Sequence, residues 1–228
     1  MRLFIPALLT LLAGTCSFQA QTVGPLGLGM TAAQAAQALG PSYKDTLRLR
    51  GAGAGLVVHT FTKANDEYSV QTMDDKVFYI GHSVLFEIGA QPGLEDTKRR
   101  LLEKYGAPSK AGGNGDQITW EFDKTGARLP VASQCFPRIP IMYDTTMYAG
   151  GTQASLGYVS GVEAAAPCFT HVKAHLNAVL GKDFLQGLSI ELWNVQAYLE
   201  RLRGLDRASQ QKQQQQDDAV RKASKAPL

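Results

Sequence analysis

The sequence predicts an α+β fold made of two tandem units, each a helix followed by an antiparallel meander, with a C-terminal hairpin and helix completing the second. Three observations carry this. A short alanine-rich segment at 31–39 stops at Gly40-Pro41, and strand-like runs follow it. A second helical segment at 94–104 stops at Gly106-Ala107-Pro108, and alternation resumes. Short polar pairs separate the runs, as hairpin connections do.

Thr31 is a good N-cap for the first helix, the alanines favour helix, and Met30, Ala35, Ala38 and Leu39 share one face. Gly40 ends it by accepting a left-handed backbone, and Pro41 cannot continue it. After the glycine-rich "GAGAG" at 51–55 come strand-like runs at Leu56 to Thr62, Tyr68 to Met73 and Lys76 to Glu87, separated at Asn65-Asp66 and Asp74-Asp75. The second helix turns Leu94, Leu101, Leu102 and Tyr105 to one side. The polar loop "SKAGGNGD" leads to a strand at Gln117 to Asp123, where Ile118, Trp120 and Phe122 alternate with Thr119 and Glu121. "HTFTK" at 59–63 and "WEFDK" at 120–124 end their strands alike, in keeping with an internal repeat.

Between Arg128 and Pro167 prolines, tyrosines and glycines predominate, with one strand candidate at Ile139 to Tyr143. Phe169 to Val179 and Phe184 to Trp193 then read as a hairpin around "LGKD". Asn194 can cap a helix from Val195 to about Leu205. Beyond it, residues 207–228 are glutamine-rich and almost free of large apolar side chains, a composition that predicts a disordered polar tail. The expected organisation is a signal peptide at 1–20, a first α-β unit at 21–90, a second at 91–206 with an insertion, and the tail.

Arg2 followed by the apolar run Leu3 to Gly14 predicts a secretory signal, too short for a stable membrane span. Cleavage after Ala20 puts Phe18 where a small residue is preferred, whereas cleavage after Ser17 puts Thr15 there. Lipid anchoring at Cys16 is the alternative, but Ala13-Gly14-Thr15-Cys16 is one place out of register for a lipobox. A periplasmic or secreted protein without a membrane span is therefore expected. In such a compartment Cys135 and Cys168, which remain once Cys16 leaves with the signal, are expected to form a disulfide. Closing that loop contributes about 3 to 4 kcal/mol in the entropic account.

The net charge is +3, and residues 200–228 carry seven basic and four acidic side chains, so the rest is close to neutral. That excludes the concentrated basic face of a nucleic-acid-binding protein. His171 and His175 have metal-ligand spacing only on a helix; on the strand predicted here they lie roughly 13 Å apart, and they read as solvent-facing strand histidines; His59 and His82 complete the four. "GYVSG" at 157–161 is not a serine-nucleophile motif, and neither "GAGAG" nor "GPLGLG" continues into a phosphate-binding fingerprint. Asp74-Asp75 and Asp217-Asp218 are adjacent carboxylates that read as solvated charge. No catalytic residue, metal site or cofactor is expected. Phe136, Tyr143, Tyr148 and Tyr158 are amphipathic rings of the kind enriched at interfaces, and they are the expected partner-binding residues.

"LGMTAAQAAQALGPS" resembles the α-β units of the β-lactamase-inhibitor-protein-like superfamily, which includes outer-membrane lipoproteins of the SmpA/OmlA type with a similar helix-ending signature. The match covers Gly29-Met30, Leu39-Gly40-Pro41 and, more weakly, Tyr105-Gly106-Ala107-Pro108. The resemblance implies the tandem fold, and function does not follow from fold. The expected function is that of an exported, non-catalytic protein-binding or envelope-associated scaffold. The alternatives are an envelope hydrolase with an unrecognised site, or a structural envelope component acting through its basic glutamine-rich tail.

Overall fold

The computed structural model describes residues 21–50, 56–112, 116–129 and 168–224. It is α+β, as expected. In chain order the elements are β1 (Thr22–Val23), β2 (Leu26–Gly27), α1 (Ala32–Leu39), β3 (Lys44–Arg50), β4 (Leu56–Lys63), β5 (Asp66–Met73) and β6 (Lys76–Leu85). Then follow α2 (Leu94–Tyr105), β7 (Lys110–Ala111), β8 (Gln117–Phe122), β9 (Thr170–Ala178), β10 (Leu185–Asn194) and α3 (Val195–Ser224). Strands β3 to β10 form one antiparallel eight-stranded sheet in the order β3-β4-β5-β6-β10-β9-β8-β7.

Both short helices and the β1–β2 hairpin pack on one face of this sheet, the near face. Val70 on β5, Ile80 on β6, Leu192 on β10, Val172 on β9 and Trp120 on β8 stand side by side in register beneath them, all fully buried. Ala35 and Leu39 from α1, Leu101 and Tyr105 from α2, and Val23 and Leu26 from the hairpin complete that core. Polar groups at the seams are satisfied: Trp120 Nε1 donates to the Gly106 carbonyl (2.9 Å) and Tyr105 Oη to that of Thr22 (2.9 Å).

The α1 N-terminus has the reciprocal capping expected of Thr31, whose Oγ1 accepts from Gln34 N (3.1 Å) while Gln34 Oε1 accepts from Thr31 N (2.9 Å). Its first turn has no acidic residue. Asp75, in the β5–β6 turn, supplies the negative charge, its Oδ1 accepting from Ala32 N at 3.4 Å. Gly40 ends the helix with φ 80° and ψ 174°. The positive φ is as expected, but the ψ is extended, so the chain leaves the helix directly towards β3.

Three features differ from the sequence expectation. The edge strand β3 was not foreseen, because "KDTLRLR" is mostly polar. The two-residue strands β1 and β2 are too short for any periodicity to reveal. Residues 207–224, predicted to be disordered, continue α3 as helix: glutamine, lysine, alanine and arginine are good helix formers, and neither glycine nor proline interrupts them there. The strand candidate at Ile139 to Tyr143 and the signal segment lie outside the described residues.

Candidate functional site

The other side of the sheet, the far face, is built differently. At one end the first turns of α3 lie against it: Tyr198 and Ala197 pack on Val58, Phe78, Tyr79 and Trp193, while Val195 and Leu199 pack on Leu129 and Cys168. Asn194 Oδ1 accepts from Ala197 N (3.0 Å) and so positions that docking. The Trp193 ring sits between Tyr79 and Tyr198, with centroids 4.2 and 5.4 Å away.

Next to these rings the far face turns polar. Pairing sets Trp193 beside His171 and His171 beside Glu121, and one row further along sets Gly81 beside Glu191, Glu191 beside Lys173 and Lys173 beside Thr119. Glu121 and Glu191 are 2% and 5% exposed, and His171 is 8% exposed. His171 Nδ1 lies 3.7 Å from Glu121 Oε1, a distance for charge attraction and not for a direct hydrogen bond. Glu191 Oε2 is buried and has no hydrogen-bond partner among the described residues. The following row, with Ser83, Ser189 and His175, is open to solvent or partly so.

A second polar cluster stands on the near face, at the start of β5. Asp66 accepts from Tyr43 Oη at Oδ2 (2.6 Å) and lies 2.8 Å from His82 Nε2 at Oδ1. Tyr68 stacks on His82 (centroids 4.1 Å) and meets Tyr43 edge-on (5.7 Å). Burial, followed by the Asp66 charge, pushes the Tyr68 phenol from 10.0 up to about 12. Tyr43 is raised too, first by burial and then by its bond to Asp66. Burial thus favours the neutral form of both phenols.

Three of the four histidines are thus close to a carboxylate, the third pair being His59 with Asp45 at 3.3 Å. The three pairs stand on different strands, and His171 is on the opposite face from the other two. Among the described residues, no group of three His, Cys, Asp or Glu side chains could hold a metal ion. His171 and His175 do lie on a strand, but only His175 is solvent-facing; His171 is buried against Glu121, which corrects its expected exposure. The strand alternation was read correctly, but nothing in it told that the far face is covered at this point. Glu121 between Trp120 and Phe122 looked like a solvent-facing position for the same reason, and Glu191 stands in the corresponding place on β10, between Ile190 and Leu192.

Of the expected disulfide, Cys168 is buried just before β9, and its carbonyl accepts from Gln196 Nε2 (2.9 Å). Cys135 and the expected partner-binding residues Phe136, Tyr143, Tyr148 and Tyr158 lie outside the described residues. No helix among the described residues is long and apolar enough to cross a membrane. Comparison of the chain with protein-family models, with curated proteins and with solved structures gives no match.

Proposed function

We propose that this protein is an exported, non-catalytic binding protein of the cell envelope, built of two tandem α-β units, which presents the far face of its sheet to a protein partner. The observation that carries the proposal is the inequality of the two faces. Two helices and a hairpin close the near face over an apolar core, whereas the far face combines aromatic rings, buried charge and a partly open polar row. The histidine–carboxylate pairs stand apart and do not converge on one substrate, which favours binding over hydrolysis.

The tandem arrangement has its own support. Gly40 and Gly106 end their helices with φ 80° and 78° and extended ψ. The next strands begin at Lys44 and Lys110, each four residues beyond its glycine. The last strands of the two units, β6 and β10, pair antiparallel at the sheet centre, and both helices lie on one face, as two copies related by a two-fold axis through the sheet would. Such units are those of the superfamily that the helix-ending motifs resemble. In the proposal Cys135 and Cys168 form a disulfide, and Phe136, Tyr143, Tyr148 and Tyr158 contribute to partner binding.

The test is capture from the native envelope by cross-linking. Ser83→Arg with Ser189→Arg, on the open row, is expected to abolish capture of a partner while leaving the thermal midpoint within about 0.5 kcal/mol of wild type. Undiminished capture by that variant would reject the far face as the binding surface.

A further inference from the structure

We propose that one end of the sheet docks on a lipid bilayer through two projecting turns, with Ile88 and Leu180 as the inserted side chains. The proposal is independent of the far face as a binding surface. After β6 the chain turns at 87–90, where Ala90 N donates to the Glu87 carbonyl (2.9 Å), and between β9 and β10 it turns at 179–182, where Lys182 N donates to the Val179 carbonyl (2.9 Å). In both turns the third residue is a glycine of positive φ, Gly89 at 91° and Gly181 at 71°, and the residue before it has negative φ, the pattern of a type II turn. Each turn thus fixes a large aliphatic side chain at its apex. Ile88 is 97% exposed and Leu180 99%. The two turns stand at the same end of the sheet, because Phe86 N donates to the Gln186 carbonyl (2.9 Å), Leu94 N to that of Asp183 (2.8 Å) and Leu185 N to that of Pro92 (3.0 Å). The segment carrying Ile88 is therefore bonded on both sides to the residues that leave the Leu180 turn. Leu85, 56% exposed and paired with Gly187, adds apolar surface at this end.

One exposed aliphatic residue is ordinary on a protein surface, but two of them at the apices of neighbouring backbone-closed turns expose apolar area without serving the core. The shape selects the occupant. A turn apex is convex, so a protein partner must supply a separate pocket for each side chain, whereas the acyl boundary of a bilayer closes around a projecting group without a preformed shape. The charge agrees with this. Glu87, Lys182 and Asp183 flank the apices and give no excess of cations, so apolar insertion and not attraction to anionic headgroups drives the docking. Two such side chains bury less apolar area than one acyl chain, which makes the docking reversible.

The experiment measures co-sedimentation of the exported protein with an excess of vesicles made of phosphatidylethanolamine and phosphatidylcholine. Binding is expected, and it should change little when salt is raised from about 0.1 to about 0.5 M. Ile88→Ser and Leu180→Ser are each expected to weaken it about tenfold, from the transfer of one aliphatic side chain, with the thermal midpoint unchanged because both positions are exposed. Leu102→Ser, at an exposed leucine near the C-terminal end of α2, is the control and should leave binding as it is. Leu180→Trp reports on the apex itself, and its added emission is expected to shift to the blue when vesicles are present. Absence of binding, undiminished binding by the Ile88→Ser, Leu180→Ser double variant, or equal loss with Leu102→Ser overturns the proposal. Binding that needs phosphatidylglycerol in the vesicles and disappears at the higher salt assigns the attraction to headgroup charge and overturns it too. So does a tryptophan at position 180 whose emission is blind to vesicles, or capture of an envelope protein that depends on Ile88 and Leu180 while vesicles are ignored.

Discussion

At the residue scale, several side chains answer to their backbone more than to their neighbours. Ala64 is exposed in the two-residue β4–β5 turn, yet has φ 50°. Such a conformation costs an L-residue with a Cβ, and glycine adopts it freely. Ala64→Gly is therefore expected to stabilise the fold by about 0.5–1 kcal/mol after glycine's extra unfolded-state entropy is deducted; an unchanged or lower thermal midpoint would contradict this. Tyr68 makes a pH-dependent case. Its phenol is raised from 10.0 to about 12 in the fold, so the folded state favours the neutral ring. That contribution is complete below pH 10 and is lost as pH rises through 12. Urea midpoints measured between these values should fall more steeply for wild type than for Tyr68→Phe, and parallel slopes would refute the assignment. None of this was legible in the sequence, where Ala64 was an ordinary turn neighbour and Tyr68 simply opened a strand-like run. The left-handed backbone at Ala64 follows from the register that leaves a two-residue turn between Lys63 and Asp66, and the burial of Tyr68 from elements distant in the chain.

At the scale of the element, helix stops were the most legible features because a glycine and a following proline act locally. Gly40 and Gly106 have φ near 80° with ψ 174° and −163°, a region that only glycine occupies without strain, and among the described residues beyond their chain neighbours nothing lies within 4 Å of where a Cβ would stand. Gly106→Ala and Gly40→Ala are thus expected to cost about 1–3 kcal/mol each, entirely through the backbone. Denaturant midpoints should drop with unchanged slope; tolerance of alanine at one site only would argue against equivalent units. Strands with an apolar face, such as β8 and β10, were equally readable. The strand β3 was not, since an edge strand with charged residues is shaped to avoid further pairing and so lacks the apolar signature. Nor could local reasoning show that α1, without an acidic first turn, takes its N-terminal charge from Asp75 of a turn 43 residues away.

For the whole molecule, what matters is how one continuous sheet divides its two faces. The near face was foreseeable from the apolar sides of the two helices, which require a sheet to cover. The candidate site on the far face was not, because its carboxylates occupy alternation positions that read as solvent. Helix α3 joins both problems: its first turns cover one end of the far face, while positions 210–222 are exposed throughout. An exposed helical stretch of that length gains little from packing and is marginal in water by itself. Ending the chain after Asp206 should therefore leave the global unfolding midpoint within about 0.5 kcal/mol of wild type, whereas Tyr198→Ala, which empties a site between Phe78, Tyr79 and Trp193, should cost about 2–5 kcal/mol. In far-ultraviolet circular dichroism the full chain is expected to lose helical signal gradually on heating, before the cooperative transition, and the shortened chain to show only that transition. A pre-transition slope that persists after truncation would mean that the early melting lies elsewhere; a large drop in the midpoint would mean that the distal helix packs against the body after all.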